Sequence, residues 1–250
     1  MGLYAYLVRW EPSHIVERVS SWIKEQVDSS GLKGVVVGMS GGIDSSVVAV
    51  LCRDVLGDEM VGVCMPCHSR QEDREDAYLV AEAFGIPMEE VVLDEVFDAL
   101  LGALGVAGAD TRSNAVINIK PRLRMTVLYH IANVRNYLVA GTGNRSELEV
   151  GYFTKYGDGG VDILPIGELV KHEVRAVAEY LGIPKKLIEK PPSAGLWEEQ
   201  TDEGEMGITY EELDRYILGL DVSEEVKHRI EDLKLKNAHK RSAVPVCKIY

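Results

Sequence analysis

Cysteine is scarce in this chain. Its four copies, Cys52, Cys64, Cys67 and Cys247, are too few to staple a scaffold of 250 residues. Long uncharged apolar runs are missing too. The first apolar stretch already carries Arg9 and Glu11, which argues against a secretory leader and against a membrane span. A reducing, cytoplasmic setting with no membrane partner is the expectation. Positive charge is in deficit: 27 Lys and Arg stand against 40 Asp and Glu, a formal net charge of -13. A field of that sign repels polyphosphate backbones at long range, so no nucleic-acid partner is expected. A local cluster of donors and cations can still hold a nucleotide. Internal repeats and a linker between domains are also lacking, so one domain over 1–250 is expected.

What is present alternates. Apolar residues make up 46%, enough for a buried core. Short apolar runs and longer amphipathic stretches take turns, which predicts an α/β fold with a doubly wound, mostly parallel sheet flanked by helices. Ile15, Val19, Ile23 and Val27 recur every fourth residue and predict an opening helix. GVVVG at 34–38 predicts a strand buried on both faces, followed by a helix from Ile43. A second strand is expected at 60–65. Ser69 and Glu72 have capping-box spacing for a helix that stops at Gly85. A third strand is expected at 91–93, a helix over 115–135 and a fourth strand at 137–140. The helix from about 168 to 181 ends at Gly182 with Pro184 behind it. The breaker-rich stretch 190–207 predicts a long loop. Thr209 and Glu212 cap one further helix, and 223–235 reads as the last.

Chemistry concentrates between the strand at 34–38 and its helix, in Ser40-Gly41-Gly42-Ile43-Asp44-Ser45-Ser46. Paired glycines let the backbone approach a ligand. A helix start aims free N–H groups at an anion such as pyrophosphate, and the hydroxyls of Ser40, Ser45 and Ser46 offer more donors. No Walker A pattern occurs. Asp44 among phosphates makes sense as a ligand of Mg²⁺, which bridges carboxylate and phosphate oxygens. Glu147, just beyond the strand at 137–140, is placed to be the second carboxylate.

The SGGIDS run resembles the signature of the PP-loop ATP pyrophosphatases. Further along, Asn118 to Met125 (NIKPRLRM), Phe153 to Gly160 (FTKYGDGG), Pro192 to Trp197 with Gln200 to Glu203, and His239-Lys240-Arg241 resemble, in order, motifs of the NAD synthetase family. The resemblance spans Ser40 to Arg241. It implies an ammonia-dependent ligase in which the nicotinate carboxylate of deamido-NAD is adenylated by ATP. Ammonia then displaces AMP. Carried over residue by residue, it implies ATP contacts from Gly38, Met39, Ser40, Gly41, Gly42, Ile43, Asp44, Ser45, Thr142, Lys171 and Ser193. Mg²⁺ would lie on Asp44 and Glu147. Deamido-NAD would meet Arg122, Lys155, Asp162, His239 and Lys240. Asp158 would hold the ammonium and help remove its proton, so Asp158 and Lys171 are the expected catalytic residues. A homodimer is implied as well.

Two positions depart from the common pattern: Ser193 stands where many relatives have threonine, and GTGNRSE is one of two family variants around the metal glutamate. No glutaminase domain fits beside a synthetase in this length, so free ammonia is the expected nitrogen source. Cys64-Met65-Pro66-Cys67 leaves a tRNA-thiolating PP-loop enzyme as one rival, although a second cysteine pair is missing and Cys64 sits in an apolar run. An adenine-nucleotide sensor that kept the fold and lost the chemistry is the other.

Overall fold

Val35, Val36 and Val37 have no solvent exposure, and the strand they form, β1 (Gly34–Gly38), lies inside the sheet. The structure, a computed structural model, describes residues 5–108, 113–193 and 201–249. Helix α1 (Pro12–Ser30) leads into β1, and α2 (Ile43–Leu56) follows it. Next come β2 (Met60–Cys64), α3 (Gln71–Phe84), β3 (Met88–Glu90), α4 (Asp94–Ala103), α5 (Asn114–Ile117), α6 (Ile119–Arg135) and β4 (Tyr137–Ala140). After β4 run α7 (Arg145–Val150), α8 (Lys171–Leu181), α9 (Lys185–Glu189), α10 (Asp202–Met206), α11 (Tyr210–Ile217), α12 (Glu224–Lys236) and α13 (Ala238–Arg241).

All four strands are parallel, in the order β3-β2-β1-β4. Val36 pairs with Val61 on one side and with Val139 on the other. A single parallel bridge, Ala140 to Ile163, extends the sheet beyond β4. The period of two sorts the valines. Val35 and Val37 face a core shared with α1, α2 and α8, while Val36 faces one shared with α4 and α6. Helices therefore cover both faces, as a parallel sheet requires. A smaller core around Tyr210, Leu213 and Ile230 packs the C-terminal helices against α7. Because the chain leaves β1 for β2 on one side and returns through β4 on the other, a crevice opens at the carboxyl ends of these strands.

Several expected boundaries move, each for a local reason. The third strand is 88–90, not 91–93, although Val91 N–H still donates to Cys64 O at 2.9 Å. The Ser69 capping box does not form. Its hydroxyl accepts instead from Cys67 N–H and from Arg124, and α3 begins two residues later. The helix over 115–135 is broken at Asn118, because Pro121 has no N–H with which to continue the ladder from α5. Helix α8 starts at Lys171, since the Leu169 carbonyl is taken by Arg145 N–H. Within 190–207, residues 202–206 are helical, N-capped by the Thr201 side chain. The rest of that motif, 194–200, lies outside the described residues. Among the described residues, no helix is long and apolar enough to cross a membrane.

Candidate functional site

The loop from Met39 to Gly42 joins β1 to the amino end of α2, and its shape is set by two constraints. Gly41 has φ +75°, and a Cβ there would come 2.1 Å from the Asp73 carbonyl oxygen on α3. Only glycine lets the loop lie this close to α3. Ser45 Oγ donates to Gly42 O at 3.0 Å and accepts from Ser40 N–H at 3.3 Å. Ser46, expected to offer another donor to a ligand, is fully buried and donates to Gly42 O at 2.8 Å. It closes the helix start instead.

This loop forms one wall of a cavity of about 470 Å³, a size usual for small-molecule sites. Gly38 to Ser45, Thr142 just beyond β4, Glu147, Lys171 and Ser193 line it, as do Asp158 and Lys240. Ser193 is brought there by Lys190, whose Nζ lies 2.9 Å from Asp73 and 2.5 Å from Asp76. That ion pair ties the chain after α9 to α3.

Lys171 holds Asp44, Glu147 and Tyr210 together. Its Nζ is 2.5 Å from Asp44 Oδ2, 3.5 Å from Glu147 Oε1 and 4.9 Å from the centre of the Tyr210 ring. Burial disfavours the ammonium, but Asp44, Glu147 and Asp202 together outweigh it and hold the amine charged, above its ordinary value. Glu147 is pushed up to about 8, first by burial and then by the charge of Asp44. Asn144 serves both helices. Its Oδ1 accepts from Glu147 N–H at 3.0 Å to cap α7, and its Nδ2 donates to Asp44 Oδ1 at 3.0 Å. Tyr210 Oη donates toward Glu147 at 3.3 Å and Asp202 at 3.0 Å, and Tyr152 Oη reaches Asp202 at 3.2 Å.

Two carboxylates facing one cation are a hard-oxygen donor pair suited to Mg²⁺, which takes its remaining ligands from phosphate and water. No group of three or more His, Cys, Asp or Glu among the described residues is arranged to hold a metal by itself.

The 153–160 segment turns on backbone bonds from Gly157 and Gly159 to Thr154 O. This turn aims Asp158 into the cavity, where its Oδ1 accepts from Thr154 N–H at 2.9 Å. The side chain opens to solvent through the cavity, yet protein surrounds it closely enough that desolvation raises its carboxyl above the usual range. Lys240, which faces it, donates to Gly151 O and Phe153 O at 2.8 Å each. Burial lowers its amine.

The remaining expected residues adjoin the cavity without lining it. Lys155 Nζ donates to His239 O at 2.6 Å, and Arg122 donates to Lys155 O at 3.4 Å, so the three form a chain beside α13. Asp162 accepts from Tyr129 Oη at 3.0 Å and Val139 N–H at 2.8 Å, fixing the end of β4. Sequence reasoning assigned no role to Asn144, Tyr152, Asp202 and Tyr210. An N-x-x-E capping pattern could have found Asn144, and Asp202 lies in the Gln200 to Glu203 motif. Nothing in the spacing marks the other two.

A parallel sheet whose strand β1 runs into a serine–glycine loop at a helix start, beside a carboxylate pair and a buried lysine, defines a nucleotide-binding α/β protein of the ATP pyrophosphatase type. Comparison with known proteins narrows this. The sequence model of one family, NAD synthase, matches residues 15–244, and the chain belongs to that family. It is 49% identical to the NH3-dependent NAD+ synthetase of Carboxydothermus hydrogenoformans, covering 94% of this chain and 96% of the relative. It is 48% identical to that of Archaeoglobus fulgidus, with the same coverage. Among solved structures, the NMN synthetase of Francisella tularensis aligns with a TM-score of 0.91 at 34% identity, over 96% of this chain and all of that one. The NH3-dependent NAD synthetase of Campylobacter jejuni aligns at 0.79 and 29%, again over 96% and 100%.

Proposed function

We propose that this chain is a carbon–nitrogen ligase that uses ATP and ammonia to amidate deamido-NAD to NAD, releasing AMP and pyrophosphate. The observation that carries the reading is the cavity itself. Its lining gathers an anion-binding loop, Asp44, Glu147 and Lys171, and includes a further carboxyl, Asp158, held on the turn at 153–160. A carboxylate is a poor acyl donor, and adenylation gives it a good leaving group.

The loop residues Gly38, Met39, Ser40, Gly41, Gly42, Ile43, Asp44 and Ser45, with Thr142, Lys171 and Ser193, bind and orient ATP. Lys171, held charged, stabilises the negative charge that gathers on the departing phosphates. Asp44 and Glu147 would hold Mg²⁺, which supplies further neutralisation of pyrophosphate when bound. Arg122, Lys155, Asp162, His239 and Lys240 bind deamido-NAD, whose own diphosphate calls for cations. Asp158 accepts hydrogen bonds from ammonium in the cavity and takes up the proton that must leave before nitrogen has a lone pair.

Arg122, Lys155 and His239 lie outside the cavity wall. That arrangement supports a homodimer in which a second copy completes the dinucleotide site. A cytoplasmic setting accords with the free thiols of Cys52, Cys64, Cys67 and Cys247.

The test is a product assay with ATP, Mg²⁺ and deamido-NAD, comparing ammonium with glutamine. NAD with matching AMP and pyrophosphate, from ammonium only, is expected. The 0.91 overlap with an NMN synthetase favours a second substrate for the same assay, nicotinate mononucleotide. Faster formation of NMN than of NAD would replace the dinucleotide reading. ATP binding with no turnover on either substrate would favour a sensor.

A further inference from the structure

Behind the cavity lies a buried polar cluster that the chemistry above does not use. Asp214 on α11 and Ser146 on α7 have no solvent exposure, and His172 on α8 has 5%. Asp214 Oδ1 accepts from the Ser146 hydroxyl at 2.5 Å. Its Oδ2 accepts from the His172 backbone N–H at 2.9 Å and lies 2.7 Å from His172 Nδ1. Ser146 Oγ in turn accepts from Lys171 N–H at 3.0 Å.

The residues held this way are the chain neighbours of two that line the cavity. Ser146 precedes Glu147, and His172 follows Lys171. In each pair one side chain enters the cavity and the other turns back onto the same carboxylate. Glu147 and Lys171 lie in the first turns of different helices, so no local backbone rule fixes the distance between them. A buried carboxylate is costly unless its lone pairs are met, and apolar packing would join two helices at less cost. Directional bonds from one carboxylate give what packing does not, a fixed orientation of both helix starts. Helix α11 reaches the site once more through Tyr210, one turn before Asp214, which bonds Glu147 itself.

We infer that Asp214 is a positioning residue for nucleotide binding: through Ser146 and His172 it sets the spacing of the Glu147 carboxylate and the Lys171 ammonium so that both meet one polyphosphate. The inference rests on the ATP reading of the cavity.

The test uses the full chain and equilibrium binding, which needs no turnover. Binding of a non-hydrolysable ATP analogue with Mg²⁺ is measured beside binding of deamido-NAD alone, with a thermal melt for each variant. Asp214→Asn and Ser146→Ala are expected to weaken the ATP analogue by about 10–100-fold, as loss of groups that orient metal ligands typically does. Deamido-NAD affinity stays unchanged, and Ser146→Thr, which keeps the hydroxyl, recovers most of the loss. In turnover the KM for ATP rises while that for deamido-NAD does not. Should Asp214→Asn not fold, Ser146→Ala decides alone. Unchanged analogue binding, or equal weakening of both ligands together with a lowered melt, would overturn the inference and leave Asp214 a structural residue. A wild-type chain that binds deamido-NAD but not the ATP analogue would sink the ATP reading itself, a different failure.

Discussion

Asp158 and Lys171 line one cavity, and desolvation acts on their charges with different outcomes. Lys171 is surrounded by carboxylates and stays charged, whereas desolvation raises the Asp158 carboxyl against the opposing pull of Lys240. If ionised Asp158 receives the ammonium proton, activity with ammonium falls on the acid side through a carboxyl above its ordinary value of 3.8. Asp158→Asn should form the adenylate, seen as pyrophosphate release, yet amidate poorly and lose that acid limb. Normal amidation in this variant removes Asp158 from the mechanism. Stability carries the opposite sign. The folded carboxyl binds its proton more tightly than the unfolded one, so the contribution is full below 3.8 and lost as pH rises through the raised folded value. Melts of the ligand-free chain at a series of pH values should show this decline weakened in Asp158→Asn. The thiols make a separate prediction. Burial pushes Cys52 up to about 12 and raises Cys64 and Cys67, while Cys247 is exposed. One thiol should react quickly with a thiol reagent in the native chain and four after unfolding. A second fast thiol would mean that the cavity side of β2 opens.

At the scale of elements, α7 is short, and its start is held by Asn144 in a two-way capping box with Glu147. Asn144→Ala should cost about 1 kcal/mol of stability, within the range for lost N-caps, read as a melt lowered by about 2–4 °C. Asn144→Asp keeps an oxygen for the cap but sets a second carboxylate oxygen against Asp44 Oδ1, now 3.0 Å from the Asn144 amide. It should regain stability and still bind ATP weakly. Recovery of ATP affinity together with stability in Asn144→Asp would show that Asn144 acts on α7 alone. These details were less legible in the sequence than the elements themselves. GVVVG, YLVA and the four-residue stripe of α1 announce their burial through local periods, and Thr209 with Glu212 forms the expected cap. The loop with Asp44 was legible because one strand–turn–helix unit contains it. Ser69 misled because a distant residue, Arg124, competes for its hydroxyl. Asp202 fell within the Gln200 to Glu203 motif but its role did not show, and Tyr210 and Asp214 left no signal, since each works through partners far along the chain.

The whole molecule adds the one property that no single element carries, its net charge of -13. Two copies brought together in the proposed dimer repel each other through that charge, even though the cations Arg122, Lys155 and Lys240 gather beside α13. Salt shortens the reach of such repulsion to about 10 Å at 0.1 M and about 3 Å at 1 M. Added salt should therefore tighten the dimer, the reverse of an interface held mainly by ion pairs. Sedimentation at falling protein concentration checks this: dissociation on dilution at low salt, and reassociation when salt is added. If the second copy completes the dinucleotide site, the KM for deamido-NAD rises on dilution while that for ATP holds, because the loop, Asp44, Glu147 and Lys171 all lie within one chain. A dilute monomer with both constants unchanged would show that one chain carries the entire site, and the cations beside α13 would then need another ligand to account for them.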